Sequence, residues 1–245
     1  MCTVTFIPQE GQDFILSSNR DEQASRSPQG LSRIDQYEKE LLFPRDTEAG
    51  GTWIAASNKD QVVCLLNGAF ESHHRQPPYR KSRGIMVLEF FEFDRAEGFL
   101  QNYSLDNMEP FTFVIYDQGQ LFELRWDGSK KHIKLLSPQE MHIWSSATLY
   151  DQKAQQKRQS WFESWKVSYP NPSLAAILDF HHNTGEGNPW NDVVMNRMGI
   201  VQTVSVTNIS RTKEAIDIQY HEIVKDTIVK SKILLSGEVV ESTKI

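Results

Sequence analysis

The chain has 245 residues and a net charge of −6, with 39% hydrophobic and 24% charged residues. That makeup suits a soluble globular protein with a substantial core, and the acidic balance argues against a nucleic-acid binder. No run approaches the ~20 apolar residues of a membrane-spanning helix, no basic-then-apolar secretory signal opens the chain, and two cysteines make no disulfide framework. A cytoplasmic location is expected.

Met1-Cys2 comes first in chain order, and Cys2 opens the strand-like run Cys2-Thr3-Val4-Thr5-Phe6-Ile7. Removal of Met1 would leave an α-amine and a thiol on one residue. Together these form a nucleophile with its own base. The amine titrates near ~8 and the thiol near ~8.5, both close to working pH. The alternative is a cysteine acting as a small hydrophobe.

Gln9-Glu10-Gly11-Gln12 reads as the turn of a hairpin into a second strand, Asp13 to Ser18. Asn19-Arg20-Asp21-Glu22 follows and would return beside Cys2, where a carboxylate can hold the amine and a guanidinium can favour the thiolate. By itself the tetrapeptide also fits a charged turn. Residues 19 to 50 read as a long irregular excursion, the kind of loop that is often functional. Gly50-Gly51-Thr52-Trp53 leads into a strand ending near Ala56. Ser57-Asn58-Lys59-Asp60 is a turn, and Gln61 to Asn67 is a strand whose apolar run Val62-Val63-Cys64-Leu65-Leu66 assigns Cys64 to packing. An amide at Asn67 can donate to an oxyanion, although Asn-Gly is also a common strand-terminal turn. The basic groups His73-His74-Arg75 and Arg80-Lys81-Ser82-Arg83 read as a solvated loop leading into a helix.

Residues 82 to 103 read as two short helices with a break near Phe93-Asp94. Strands follow at Phe111 to Tyr116, Gln120 to Trp126, Lys131 to Leu136 and His142 to Ser145, then helices at Asp151 to Lys166 and Ser173 to His182. Strands at Val201 to Ile209, Ala215 to Ile223 and Ser231 to Leu235 close the chain. His181-His182 is a poor metal pair, because adjacent helical residues point about 100° apart. No metal site and no cofactor is expected. Hairpins grouped apart from helices indicate an α+β fold: a four-layer α-β-β-α sandwich of two mainly antiparallel sheets. Residues 1–245 are expected to form one domain.

Taken as a set, Met1-Cys2, Asn19-Arg20-Asp21-Glu22, Arg45-Asp46, Gly50-Gly51-Thr52-Trp53, Leu66-Asn67 and Ser82-Arg83-Gly84 resemble the NRDE family, also called transport and Golgi organisation 2-like. The match is strong over roughly residues 1 to 90. That family resembles the cysteine N-terminal-nucleophile hydrolases, which include penicillin V acylase and bile salt hydrolase. The resemblance implies the α-β-β-α fold and an amidohydrolase or acyltransferase acting on a non-peptide amide of a small molecule. It makes Cys2 the nucleophile, Asp21 the support of the N-terminus, Arg20 the thiolate-stabilising arginine and Asn67 the oxyanion donor. Asn19, Trp53 and Trp190 are assigned to substrate binding. Ser146 joins them, standing where the acylases carry a further asparagine. A late arginine of the acylases corresponds to Gln202 or Arg197. The rival reading is a non-catalytic carrier of a hydrophobic small molecule such as haem or an acyl lipid, since some relatives are linked to haem trafficking and lipid metabolism. A small-molecule amide or acyl substrate is the expected partner, and a homo-oligomer remains open.

Overall fold

The computed structural model describes residues 3–26, 28 and 30–236. Strands β1 (Thr3–Pro8) and β2 (Phe14–Glu22) form the first hairpin, in register from Val4↔Ser18 to Pro8↔Phe14. Next come β3 (Leu31–Gln36), β4 (Lys39–Pro44), β5 (Ile54–Ser57) and β6 (Gln61–Asn67). Helices α1 (Arg83–Glu89) and α2 (Ala96–Asn102) are separated by a 3-10 turn at Phe90–Glu92. The chain continues with β7 (Phe111–Asp117), β8 (Gln120–Trp126), β9 (Lys131–Leu136) and β10 (His142–Ser145). Helices α3 (Gln152–Ser168) and α4 (Leu174–Asn183) precede β11 (Asn196–Arg197), β12 (Val201–Arg211), β13 (Ala215–Glu222) and β14 (Thr227–Leu234).

The strands form two antiparallel sheets. One runs β10-β1-β2-β12-β13-β14, with β11 paired to β12; the other runs β3-β4-β5-β6-β7-β8-β9. Side-chain alternation along the first hairpin makes the layers. Phe6 and Phe14 stack with centroids 4.6 Å apart, and Phe14 meets Tyr116 of the second sheet at 4.4 Å. Their neighbours Ile7 and Ile15 point the other way, into a cluster with Phe162, Ile177 and Phe180 of α3 and α4. On the far side of the second sheet Phe90 and Phe99 pack on Phe113 at 5.8 and 5.9 Å. The order is α-β-β-α, as expected.

Two sequence readings are corrected. The stretch 19–50 is not an irregular excursion. It holds the end of β2 and the β3–β4 hairpin, which turns at Tyr37 and Glu38 with φ of +56° and +57°. A primed turn without Asn or Gly carries no sequence signature. Asn19-Arg20-Asp21-Glu22 is not a turn but the last four residues of a central strand, because β12 pairs with β2 along its whole length from Arg211↔Phe14 to Gln202↔Glu22. No helix among the described residues is long and apolar enough to cross a membrane.

Candidate active site

Between β1 and β12, β2 brings Asn19 level with Thr3, the first described residue of β1, and carries Arg20 and Asp21 past it. A β-bulge in β12 lies opposite them: Thr203 pairs with Asp21 and Ser205 with Arg20, leaving Val204 as the extra residue. Alternation then sends Arg20 toward the second sheet and Asn19 and Asp21 toward the α3–α4 layer. Cys2 lies outside the described residues.

Arg20 is buried, with its guanidinium carbon 4.3 Å from the centre of the Trp53 ring. One nitrogen donates to Asp46 Oδ2 at 2.7 Å, and another donates to the Arg26 carbonyl. Arg26 donates to the same Asp46 oxygen at 2.6 Å and to Glu22 at 2.8 Å. Burial pulls the Arg20 pKa down, and Asp46 opposes that shift. Asp46 is itself held: its Oδ1 accepts from the Glu48 and Ala49 amides, and its backbone exchanges bonds with Gly50 and Gly51. The glycine pair has two causes. Gly50 has φ of +69°. A Cβ on Gly51 would sit 2.3 Å from the carbonyl carbon of Gly84, so only glycine lets these backbones approach. The quoted motifs Arg45-Asp46, Gly50-Gly51 and Ser82-Arg83-Gly84 therefore meet as one structure that braces Arg20.

Asp21, also buried, accepts from the Tyr150 hydroxyl at 2.6 Å and from the Thr203 hydroxyl at 2.6 Å. Tyr150 is covered by two cations: the Arg158 guanidinium lies 3.5 Å from its ring centre and that of Arg197 lies 5.6 Å away. Arg158 has 0% exposure; its Nε donates to Thr3 Oγ1 at 3.2 Å and its Nη2 to the Asp192 carbonyl at 2.9 Å. Its Nη1 has no acceptor among the described residues. Nothing local in the sequence marks Tyr150 or Arg158. A lone arginine in a polar helix reads as a solvated charge, so only the tertiary placement marks it. Of the two candidates for the late arginine, Arg197 reaches this cluster, donating to the Leu149 carbonyl at 2.9 Å, while Gln202 accepts from Asn196 at 3.2 Å.

Arg20, Trp53 and Asn67 line one cavity of about 520 Å³. Asn67 ends β6, and its side-chain amide makes no hydrogen bond to the described residues. The Asn67 carbonyl accepts from the buried Ser146 hydroxyl at 2.8 Å, and that hydroxyl also bonds Thr148. Ser146 thus sits behind Asn67 and is not part of the cavity wall.

Besides Ser146, two more residues assigned to substrate binding lie away from the cavity wall. Asn19, with 0% exposure, spends its amide nitrogen on the His181 and Val193 carbonyls and its oxygen on the His181 ring. Trp190 is 48% exposed in the loop before β11, away from the cavity wall. The two helix-end histidines diverge, His181 bonding Thr5 at 2.8 Å and His182 facing His221 at 3.5 Å. Burial lowers the His181 pKa to about 3, so its ring is neutral. Cys64 is buried, and burial pushes its thiol up to about 12, which agrees with a packing role. Among the described residues no three His, Cys, Asp or Glu side chains are grouped to hold a metal ion. The basic residues Arg75 and Arg80-Lys81-Ser82-Arg83 do not lie on a merely solvated loop; they form a wall of the cavity.

The fold has solved counterparts. A conjugated bile acid hydrolase of Clostridium perfringens, solved as an arginine-to-leucine variant, superposes with a TM-score of 0.57 at 10% identity, over 98% of this chain and 100% of that one. The Caenorhabditis elegans orthologue of N-acylethanolamine-hydrolyzing acid amidase gives 0.56 at 9% identity, over 85% and 92%. These are N-terminal-nucleophile hydrolases, and at such identities the likeness establishes the shared fold. No curated protein matches the sequence. The description "Transport and Golgi organisation 2" belongs to a family profile that matches residues 1–232, and the chain is a member of that family.

Proposed function

We propose that this protein is a cysteine N-terminal-nucleophile amidohydrolase or acyltransferase acting on a non-peptide amide of a small molecule, with residues 1–245 working as one domain. The observation that carries the reading is the placement of two oppositely charged, buried side chains at the end of β2. Arg20 is held by Asp46, and Asp21 by Tyr150 and Thr203, where the first strand begins.

In this reading Met1 is removed and the Cys2 thiol attacks the amide carbon. A carbon–sulfur bond forms as the thiol proton passes to the α-amine. Asn67, a residue of the cavity wall, donates to the tetrahedral oxyanion. Collapse breaks the carbon–nitrogen bond, and the α-ammonium returns the proton to the leaving amine. Water or a second amine then releases the acyl group from the thioester. Asp21 orients the terminal amine, and the Arg20 guanidinium favours the thiolate. The rival reading, a carrier of haem or an acyl lipid, uses the same cavity without bond cleavage.

Intact mass and turnover of N-acyl amides test the proposal. The expected mass lacks one methionine residue, and Cys2→Ala should lose all amide cleavage while keeping the native circular dichroism spectrum. Asn67→Ala should lower kcat by roughly 10²–10³. Retention of Met1, or a Cys2→Ala protein as active as the parent, overturns the reading. Haem titration with a Soret shift, in a protein that cleaves no acyl amide, supports the carrier.

A further inference from the structure

The cavity beside Arg20 is positively charged within an acidic protein. Its wall holds six cations: Arg20, Arg26, Arg75, Arg80, Lys81 and Arg83. Three carboxylates share that wall, Glu22, Asp46 and Glu109, which leaves a surplus of three positive charges on a chain whose net charge is −6. Two more carboxylates stand behind it, Glu48 on Arg26 at 3.4 Å and Glu89 on Lys81, and a surplus of one survives them.

The carboxylates are already divided among the cations. One oxygen of Asp46 serves both Arg20 and Arg26. Glu109 serves Arg75 at 3.1 Å and Arg83 at 3.2 Å. Arg80 has no carboxylate partner among the described residues; it donates to the Ser104 carbonyl and lies 5.8 Å from the Tyr103 ring. The Trp53 indole N–H, also in the wall, has no acceptor among the described residues. Unspent donors and surplus charge in a cavity of this size suit a small anionic ligand.

Resting on the amidohydrolase reading for its acyl group, we propose that the 75–83 wall is an oxyanion-binding subsite, and that the substrate is a small soluble acyl amide carrying a phosphate or carboxylate. Arg20 serves the reacting end of the cavity, while Arg75 and Arg80, on the exposed rim, hold the anionic end.

Binding and turnover are measured separately, so the two readings can fail separately. N-decanoylethanolamine, its O-phosphate and N-decanoylglycine are titrated by calorimetry into the full chain carrying Cys2→Ala. The two anionic probes are expected to bind about tenfold or more tightly than the neutral alcohol. Adding Arg75→Gln and Arg80→Gln should remove most of that preference. Lys153→Gln with Lys213→Gln, the same charge change outside the wall, should leave it in place. Equal binding of the three probes, no binding of any, a preference that survives the arginine changes, or one that falls equally in the lysine control overturns the subsite. Turnover of the same probes by the unsubstituted protein judges the amidohydrolase reading. Selective anion binding without cleavage keeps the subsite and removes the chemistry.

Discussion

The hydroxyl of Tyr150 donates to Oδ2 of Asp21 across 2.6 Å, joining a residue just before α3 to one near the end of β2. With Thr203 on the other oxygen, both sides of the carboxylate are addressed. Hydrogen bonds to charged groups contribute about 1.5–3 kcal/mol, so Tyr150→Phe should destabilise the protein by roughly that amount. Urea unfolding is the measurement. A change well under ~0.5 kcal/mol would show that the hydroxyl bears no part in holding Asp21.

The pair of arginines on Asp46 gives a larger effect. The Arg20 and Asp46 side chains are 4% and 9% exposed, so removing the carboxylate charge strands a buried guanidinium. Breaking a buried pair from one side costs about 3–5 kcal/mol. Asp46→Asn should approach that figure in chemical denaturation. Glu48→Gln, on a carboxylate 59% exposed, should change stability by less than ~1 kcal/mol.

His181 predicts a pH dependence. Burial holds its folded pKa near about 3, below the ordinary 6.5. The unfolded chain therefore takes up a proton at this site as pH falls below 6.5, while the folded chain does not. Its contribution is fully present above pH 6.5 and is lost as pH falls toward 3, at up to roughly 1.4 kcal/mol per unit. Unfolding free energies at pH 7, 6 and 5 should decline by an amount that shrinks by about one proton's worth in His181→Gln. An unchanged slope in that variant would refute the assignment.

Gly51→Ala tests the contact between the loop before β5 and the start of α1. The new methyl group would meet the Gly84 carbonyl carbon at 2.3 Å, and backbone cannot swing aside as a flexible side chain can. A loss of about 2–4 kcal/mol is expected, with the melting temperature as readout. Because Arg20 is braced through Asp46 and this loop, any amide cleavage should fall as well, beyond what reduced stability at the assay temperature accounts for.

Most of the architecture was legible because periodicity dominates it. The strand-like runs Cys2 to Ile7 and Val62 to Leu66, and the turns at Gln9-Glu10-Gly11-Gln12 and Ser57-Asn58-Lys59-Asp60, carry local signals. What escaped lacked them. The β3–β4 hairpin turns through Tyr37 and Glu38, residues that do not advertise a positive φ. Asn19 and Asp21 read as turn formers, because the groups that satisfy them inside a strand (the His181 and Val193 carbonyls, Tyr150 and Thr203) come from more than 120 residues away. At the site, motif residues Arg20, Asp46, Gly51 and Gly84 do gather. The role of Arg158 arises only from burial against Tyr150 and Thr3, which no spacing encodes.

The sealed position of Cys64 withholds its thiol from reagents while the chain is folded. With its sulfur inside β6 and its ionisation pushed far from neutrality, Cys64 can exchange with a disulfide reagent only when the second sheet opens. The slow phase of such an exchange reaction is then a built-in clock for opening of the sandwich, readable without an engineered label.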